Sequence, residues 1–348
     1  MLKEMKRIDN DPFLNYNNVL IGVDNMNEFE KVLDFYIKAN NNKRDICIKR
    51  NNKRDYSYAE LTVIGALYAL SLESESRTPM FIDYDKIIRM IFASTMRYYA
   101  NDLKNVQYYK NLYKELENDN SNEAIVANDI LDRIFNDIDY FENPIYDYEN
   151  YVKKSLKLQN TIRKGHIYWK VNDERLESIL EHIYGCCILV MGYESEYKMS
   201  LDYNELIKML LVHETEEIEI GDLTEWDINS NDKKELGKIA VDKVLSELKS
   251  GKRIKSLIDE FNSKETVLSH YAYLIDKIEY DLQVKIYDLD NKYNFNNIPN
   301  NNVTISNKVK EIIDNGAKSV FDIHYEYDKN KFENTRSMRR LLEESKKL

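Results

Sequence analysis

Glycine and proline are scarce in this chain, nine and four among 348 residues, and between Gly22 and Gly165 only Gly65 occurs. Sheets and barrels need turn residues at short intervals. Long stretches without them, with apolar residues three and four apart, predict helices instead. The spacing predicts helices over 26–39, 58–73, 83–115, 122–141 and 145–162, with Pro79 and Pro144 as breaks between them. The polar run NDNSN at 118–122 is a further break, able to cap the helix after it. Residues 41–54 (NNKRDICIKRNNKR) are the most basic stretch and have room for a short strand.

From about residue 156 the pattern stays helical. Helices are expected over 175–192, over 203–220 behind an Asp202 cap, and over 233–249, 265–287, 305–316 and 331–346. An asparagine-rich loop is expected at 291–302. No long run alternates with the period of a strand, so the fold class is all-α. We divide the chain into an N-terminal helical domain, 1–155, and a second helical domain, 156–348.

The hydrophobic fraction of 43% suffices for real cores. With a net charge of −11 and no long run of Lys and Arg, a nucleic-acid polymer is not the expected partner, whereas a small phosphorylated molecule needs only one or two local cations. No apolar run reaches the length of a membrane span, and MLKEMKRIDNDPF lacks the apolar core of a signal peptide. Cys47, Cys186 and Cys187 include no pair spaced for zinc. These features together predict a cytoplasmic protein with no membrane partner, and small buried thiols at 186 and 187.

The chemistry-bearing residues lie in the second half. His182 sits at the edge of an apolar stripe; His213-Glu214 follow, trailed by Glu217 and Asp222; Asp276 lies in a third segment. Two imidazoles and two carboxylates from three helices, with further acids beside them, suit a divalent metal that holds a water and a phosphate together. Alone, a histidine on an apolar stripe is more often a core residue, and His-Glu followed by acids is more often a solvated face. The spacing is not that of HExxH zinc proteases, because Glu217 stands four residues past His213. The order in which the pieces recur favours the metal. On one continuous helix, Glu217 would lie one turn beyond His213 on the same face, and Asp276, Glu279 and Gln283 would share another. Of the remaining histidines, His166 is expected to face the pocket beside Arg163, His270 to be structural and His324 to lie at the surface. Lys277, beside Asp276, is expected either to add charge at the phosphate or, the favoured reading, to point to solvent.

Over roughly 160–290 these residues resemble the HD-domain phosphohydrolases, and within them the 5′-deoxynucleotidase branch. RKG at 163–165 resembles that branch's Arg-x-Gly, and ESILEH at 177–182 its Glu-Ser-Val-x-Glu/Asp-His. LVHETEEIEIGDLTEWD at 211–227 and DKIEYDLQ at 276–283 resemble its later motifs, with Glu214 where the family pair has Asp. The resemblance implies a compact helical bundle, often a homodimer, preceded here by an additional helical domain. It implies one divalent ion (Mn²⁺, Co²⁺ or similar) held by His182, His213, Glu214 and Asp276. Glu217 and Asp222 would be the catalytic acids and Arg163 the phosphate-binding residue. The activity implied is release of phosphate from (deoxy)nucleoside 5′-monophosphates. Two alternatives stand beside it: hydrolysis of another nucleotide, such as a triphosphate or a signalling nucleotide, and an HD-fold regulatory protein with little catalysis.

Overall fold

The computed structural model describes residues 26–348 except 44, 51–52, 76–81, 97–102, 198–199, 247 and 250. Pro79 and the first 25 residues, including the stretch without a signal-peptide core, lie outside the described residues. The described chain is helical, with a single two-stranded hairpin, β1 (Ile46–Ile48) and β2 (Tyr56–Ser57), inside the basic stretch. Among the described residues no helix is long and apolar enough to cross a membrane.

The helices before the hairpin and up to residue 155 are α1 (Glu28–Lys43), α2 (Tyr58–Glu75), α3 (Tyr84–Met96), α4 (Val106–Glu117), α5 (Asn122–Asn136) and α6 (Asn150–Ser155). The single helix expected over 83–115 is therefore two, and residues 145–162 hold a short helix between 3-10 turns. Ser121 caps α5, accepting from Ala124 N, so the polar break acts as read.

Next come α7 (Lys164–Tyr168), α8 (Ile179–Glu196), α9 (Tyr203–Val212), α10 (Glu217–Ile220), α11 (Ser230–Leu245), α12 (Gly251–Ser263) and α13 (Val267–Leu289). The chain ends with α14 (Asn307–Asp314), α15 (Val320–Asp328) and α16 (Arg336–Lys347). Helix α15 was not expected: its short run VFDIHYEYD packs on α13 and α14 without a clean apolar stripe.

Two helices are buried on every side: α2 from Ala59 to Ser71 and α8 from Ile179 to Tyr193. A helix apolar all round must be wrapped rather than laid on a surface. They pack on each other; α1, α9 and α13 also pack on α8, and α3 and α5 also pack on α2. The hydrophobic core is continuous across residue 155.

The start of α8 is held by a buried charge network. Ser178 and Glu181 form a capping box. Glu181 and Glu60 of α2, both without exposed side-chain surface, are bridged by Arg175, at 3.0 and 2.9 Å, and by Arg54, at 3.1 and 3.4 Å. Removing one cation leaves buried carboxylate charge undercompensated. Arg175→Met is therefore expected to lower stability by about 3 kcal/mol, read as a shift of the denaturation midpoint with an unchanged slope.

Candidate metal centre

Helix α8 carries His182 one turn beyond its cap, on a helix that cannot shift without repacking the core. Helix α9, capped by Asp202 through the N–H groups of Asn204 and Glu205, stops at Val212. The Thr215 hydroxyl donates to the Val212 carbonyl at 2.6 Å, and the Thr215 backbone N–H also uses that acceptor. A Thr that bonds locally in this way competes with helix continuation. His213–Glu216 thus form a turn, which corrects the continuous helix expected over 203–220. Glu217 opens α10, and Gly221, at φ +68°, ends it in a conformation that side chains resist. Asp276 lies in the middle of α13.

His182, His213, Glu214 and Asp276 converge, each offering one atom within 4.8 Å of the others. His182 Nε2 lies 3.3 Å from Asp276 Oδ1 and 3.6 Å from Glu214 Oε1; His213 Nε2 lies 3.9 and 3.5 Å from the same two oxygens. A cation with bonds of about 2.1 Å to nitrogen and oxygen holds neighbouring ligand atoms roughly 3 to 4 Å apart. The four atoms have that spacing.

The tautomers fit as well. His213 Nδ1 donates to the Leu210 carbonyl at 2.7 Å, and His182 Nδ1 donates to Glu279 Oε2 at 2.5 Å. With each Nδ1 so engaged, both Nε2 atoms face the carboxylate oxygens, where a bound cation would take the place of any proton they carry, the arrangement that aims imidazole ligands at a metal. His213 Nε2 is buried and has no hydrogen-bond partner. A buried orphan acceptor in a well-packed protein calls for an explanation, and a cation supplies one.

Both converging carboxylates are ionised. Burial would raise Glu214, but His213 and Arg163 outweigh it and bring its pKa down to about 2. Asp276 is likewise held well below the usual carboxylate range, against burial, by Lys277 and the histidines. The Lys277 ammonium lies 2.8 Å from Asp276 Oδ2, so it joins the site rather than pointing to solvent as expected. Cys186 Sγ stands 3.7 Å from His182 Nε2, but burial pushes its pKa up to about 12. The protonated thiol is a poor ligand beside two carboxylates.

The other expected site residues take distinct places. Arg163 joins the cluster, with Nη1 2.9 Å from Glu214 Oε1 and Nη2 4.0 Å from Asp276 Oδ1. It is brought there because residues 161–163 pair with 177–179: Ile179 N donates to the Thr161 carbonyl and Arg163 N to that of Glu177. Asp222 accepts from the Lys164 backbone N–H at 2.6 Å, fixing the start of α7 beside Arg163. Glu217 is buried, with Oε2 unpartnered; burial, then the charges of Glu214 and Asp222, raise its pKa well above the usual range. Its surroundings therefore favour the protonated acid, beside the ionised Glu214.

Three histidine expectations are settled by packing. His166 does not face a pocket: it is fully buried, bonded to Glu177 at 3.0 Å and stacked on Tyr280, with its pKa lowered by burial. His324 is not a surface residue, since its ring abuts Trp169 and Tyr280 and burial brings its pKa down to about 4. His270 is exposed in the first turn of α13, away from the cluster.

Residues 155–320 match the family model of the HD domain. No curated protein matches the chain. HD domains in general are metal-dependent hydrolases, and the match covers all four converging side chains. The part of this chain that is similar to the HD domain is thus residues 155–320, just under half of its length.

Proposed function

We propose that the protein is a divalent-metal-dependent phosphohydrolase that releases phosphate from (deoxy)nucleoside 5′-monophosphates. The observation that carries this reading is the pair of imidazole Nε2 atoms, held by their Nδ1 bonds and facing one oxygen each of two ionised carboxylates. The nucleotide class rests on the resemblance of the 163–165, 177–182, 211–227 and 276–283 motifs. A divalent ion such as Mn²⁺ or Co²⁺, held by His182, His213, Glu214 and Asp276, would lower the pKa of a bound water and draw charge from a phosphoryl oxygen.

The chain's own side chains do the rest. Arg163 presents a planar fork, half engaged by Glu214, whose remaining N–H groups suit phosphate oxygens better than a lysine would. Burial raises the Glu217 pKa well above the usual carboxylate range, which suits it to give a proton to the leaving sugar oxygen as the bond to phosphorus breaks. Asp222 holds the Arg163 turn in place through Lys164 N.

A second reading, a nucleotide with more than one phosphate, is favoured by one further feature. The ammonium groups of Lys264 and Lys277 lie 3.8 and 5.6 Å from the centre of the Tyr273 ring, next to Asp276. They offer charge for additional phosphates.

The test is phosphate release from a panel of deoxy- and ribonucleoside monophosphates with Mn²⁺ or Co²⁺. Release from the deoxy set is expected to fall to background with chelator and to return on adding metal. Silence on monophosphates with turnover of triphosphates would select the second reading. No turnover of any phosphate ester would leave an HD-fold binding protein. The same preparation run through a sizing column tests the homodimer that we also propose from the family resemblance.

A further inference from the structure

The HD segment does not build its own metal centre alone. The Tyr36 hydroxyl, on α1, donates to Glu279 Oε1 at 2.6 Å, and Glu279 Oε2 accepts from His182 Nδ1 at 2.5 Å. All three residues are essentially without exposed surface. One turn further along both helices, Asn40 Nδ2 donates to Gln283 Oε1 at 2.8 Å. Helix α1 therefore meets α13 through two buried polar rungs, the first leading directly to a ligand histidine. Helix α1 lies more than a hundred residues before the matched segment begins.

We propose that Tyr36 is a positioning residue of the metal centre, acting through Glu279 on the tautomer and aim of the His182 ring. This rests on the reading of His182 as a metal ligand. Three observations support it. Burial raises the Tyr36 phenol well above its ordinary range, so it stays a donor at any physiological pH. A carboxylate fixed at both oxygens cannot swing away from Nδ1–H, and an outer partner of this kind keeps the ligand nitrogen on target. The close approach of α1 to α8 is also built in: a Cβ at Gly192 would stand 3.0 Å from the Phe35 ring, one residue before Tyr36.

The test is Mn²⁺ affinity of the full chain by electron paramagnetic resonance, together with histidine tautomers by ¹⁵N NMR. Tyr36→Phe removes only the hydroxyl. It is expected to weaken Mn²⁺ binding about 10-fold, the lower end for an outer-shell partner, and to shift the His182 nitrogen resonances. Tyr193→Phe is the control, because it deletes an equally buried hydroxyl, bonded to the Ser337 carbonyl at 3.2 Å and away from Glu279. It is expected to leave Mn²⁺ binding unchanged. Unchanged affinity in folded Tyr36→Phe, or an equal loss in Tyr193→Phe, overturns the proposal. So does a neutral His182 that carries its proton on Nε2 and none on Nδ1 in the metal-free wild-type protein, a reading that needs no variant. A wild-type protein that binds no Mn²⁺ would instead overturn the metal reading, and this inference with it.

Discussion

Gly185→Ala is expected to weaken metal binding 10- to 100-fold and to destabilise the protein, although in an open helix the same change stabilises by about 1 kcal/mol. A Cβ at residue 185 would lie 2.1 Å from Glu279 Oε1, 2.8 Å from Cδ and 3.1 Å from Cγ. The carboxylate end of a flexible side chain could normally give way. Here it is fully buried and held by Tyr36 and His182, so moving it breaks both bonds. Overpacking of this kind costs about 1–3 kcal/mol, which outweighs the helix-propensity gain. The displaced carboxylate also leaves His182 Nδ1 without its acceptor, which frees the ring to turn or change tautomer. Mn²⁺ titration and thermal unfolding check both halves. A Gly185→Ala protein that binds metal normally and melts higher would mean that α8 and α13 are not so closely apposed.

Glu217→Gln should do the converse: retain metal and lose turnover. Glu217 is not one of the four converging side chains, and its pKa, raised well above the usual range by burial and by Glu214 and Asp222, favours the neutral acid. Gln has nearly the same volume and the same charge as that acid, so folding and Mn²⁺ affinity are expected to stay close to wild type. What is lost is a transferable proton, and kcat on the preferred phosphate ester is expected to fall by about 10²–10⁴. Asp276→Asn makes the contrast, because it removes a ligand charge and should lower metal content itself. If Glu217→Gln keeps full kcat, the proton comes from elsewhere; if it loses metal, Glu217 belongs to the ligand set.

That these four side chains converge could be read in advance because the parts are local. His182 follows a capping box, His213-Glu214 sit in one dipeptide, and Asp276 and Glu279 are three residues apart on one helix, so order and spacing carried the signal. The all-α class followed from the scarcity of glycine and proline. What escaped reading depends on packing over long separations. Tyr36 and Glu279 are 243 residues apart, and nothing in the spacing of either marks the other. The end of α9 turned on a single threonine hydroxyl bonding back to Val212, a competition that apolar periodicity does not register. His324 looked like a surface residue because its neighbours in sequence are polar, whereas its neighbours in space are Trp169 and Tyr280. For Lys277 the choice between the site and solvent stayed open in the sequence, because its partner is the adjacent residue, where helical geometry gives no reason to expect a bond.

From Ile179 to Tyr193 the helix that carries His182 has no wet side. Most helices have an outer face on which sequence can drift at little cost, and an active-site residue is often held by one face only. This one is gripped all round by α1, α2, α9 and α13, so there is no direction in which it can loosen without opening the interior of the molecule. His182 and the middle of the protein are in this sense the same object. Displacing this helix and losing the fold become one event, so the placement of His182 lasts as long as the protein stays folded.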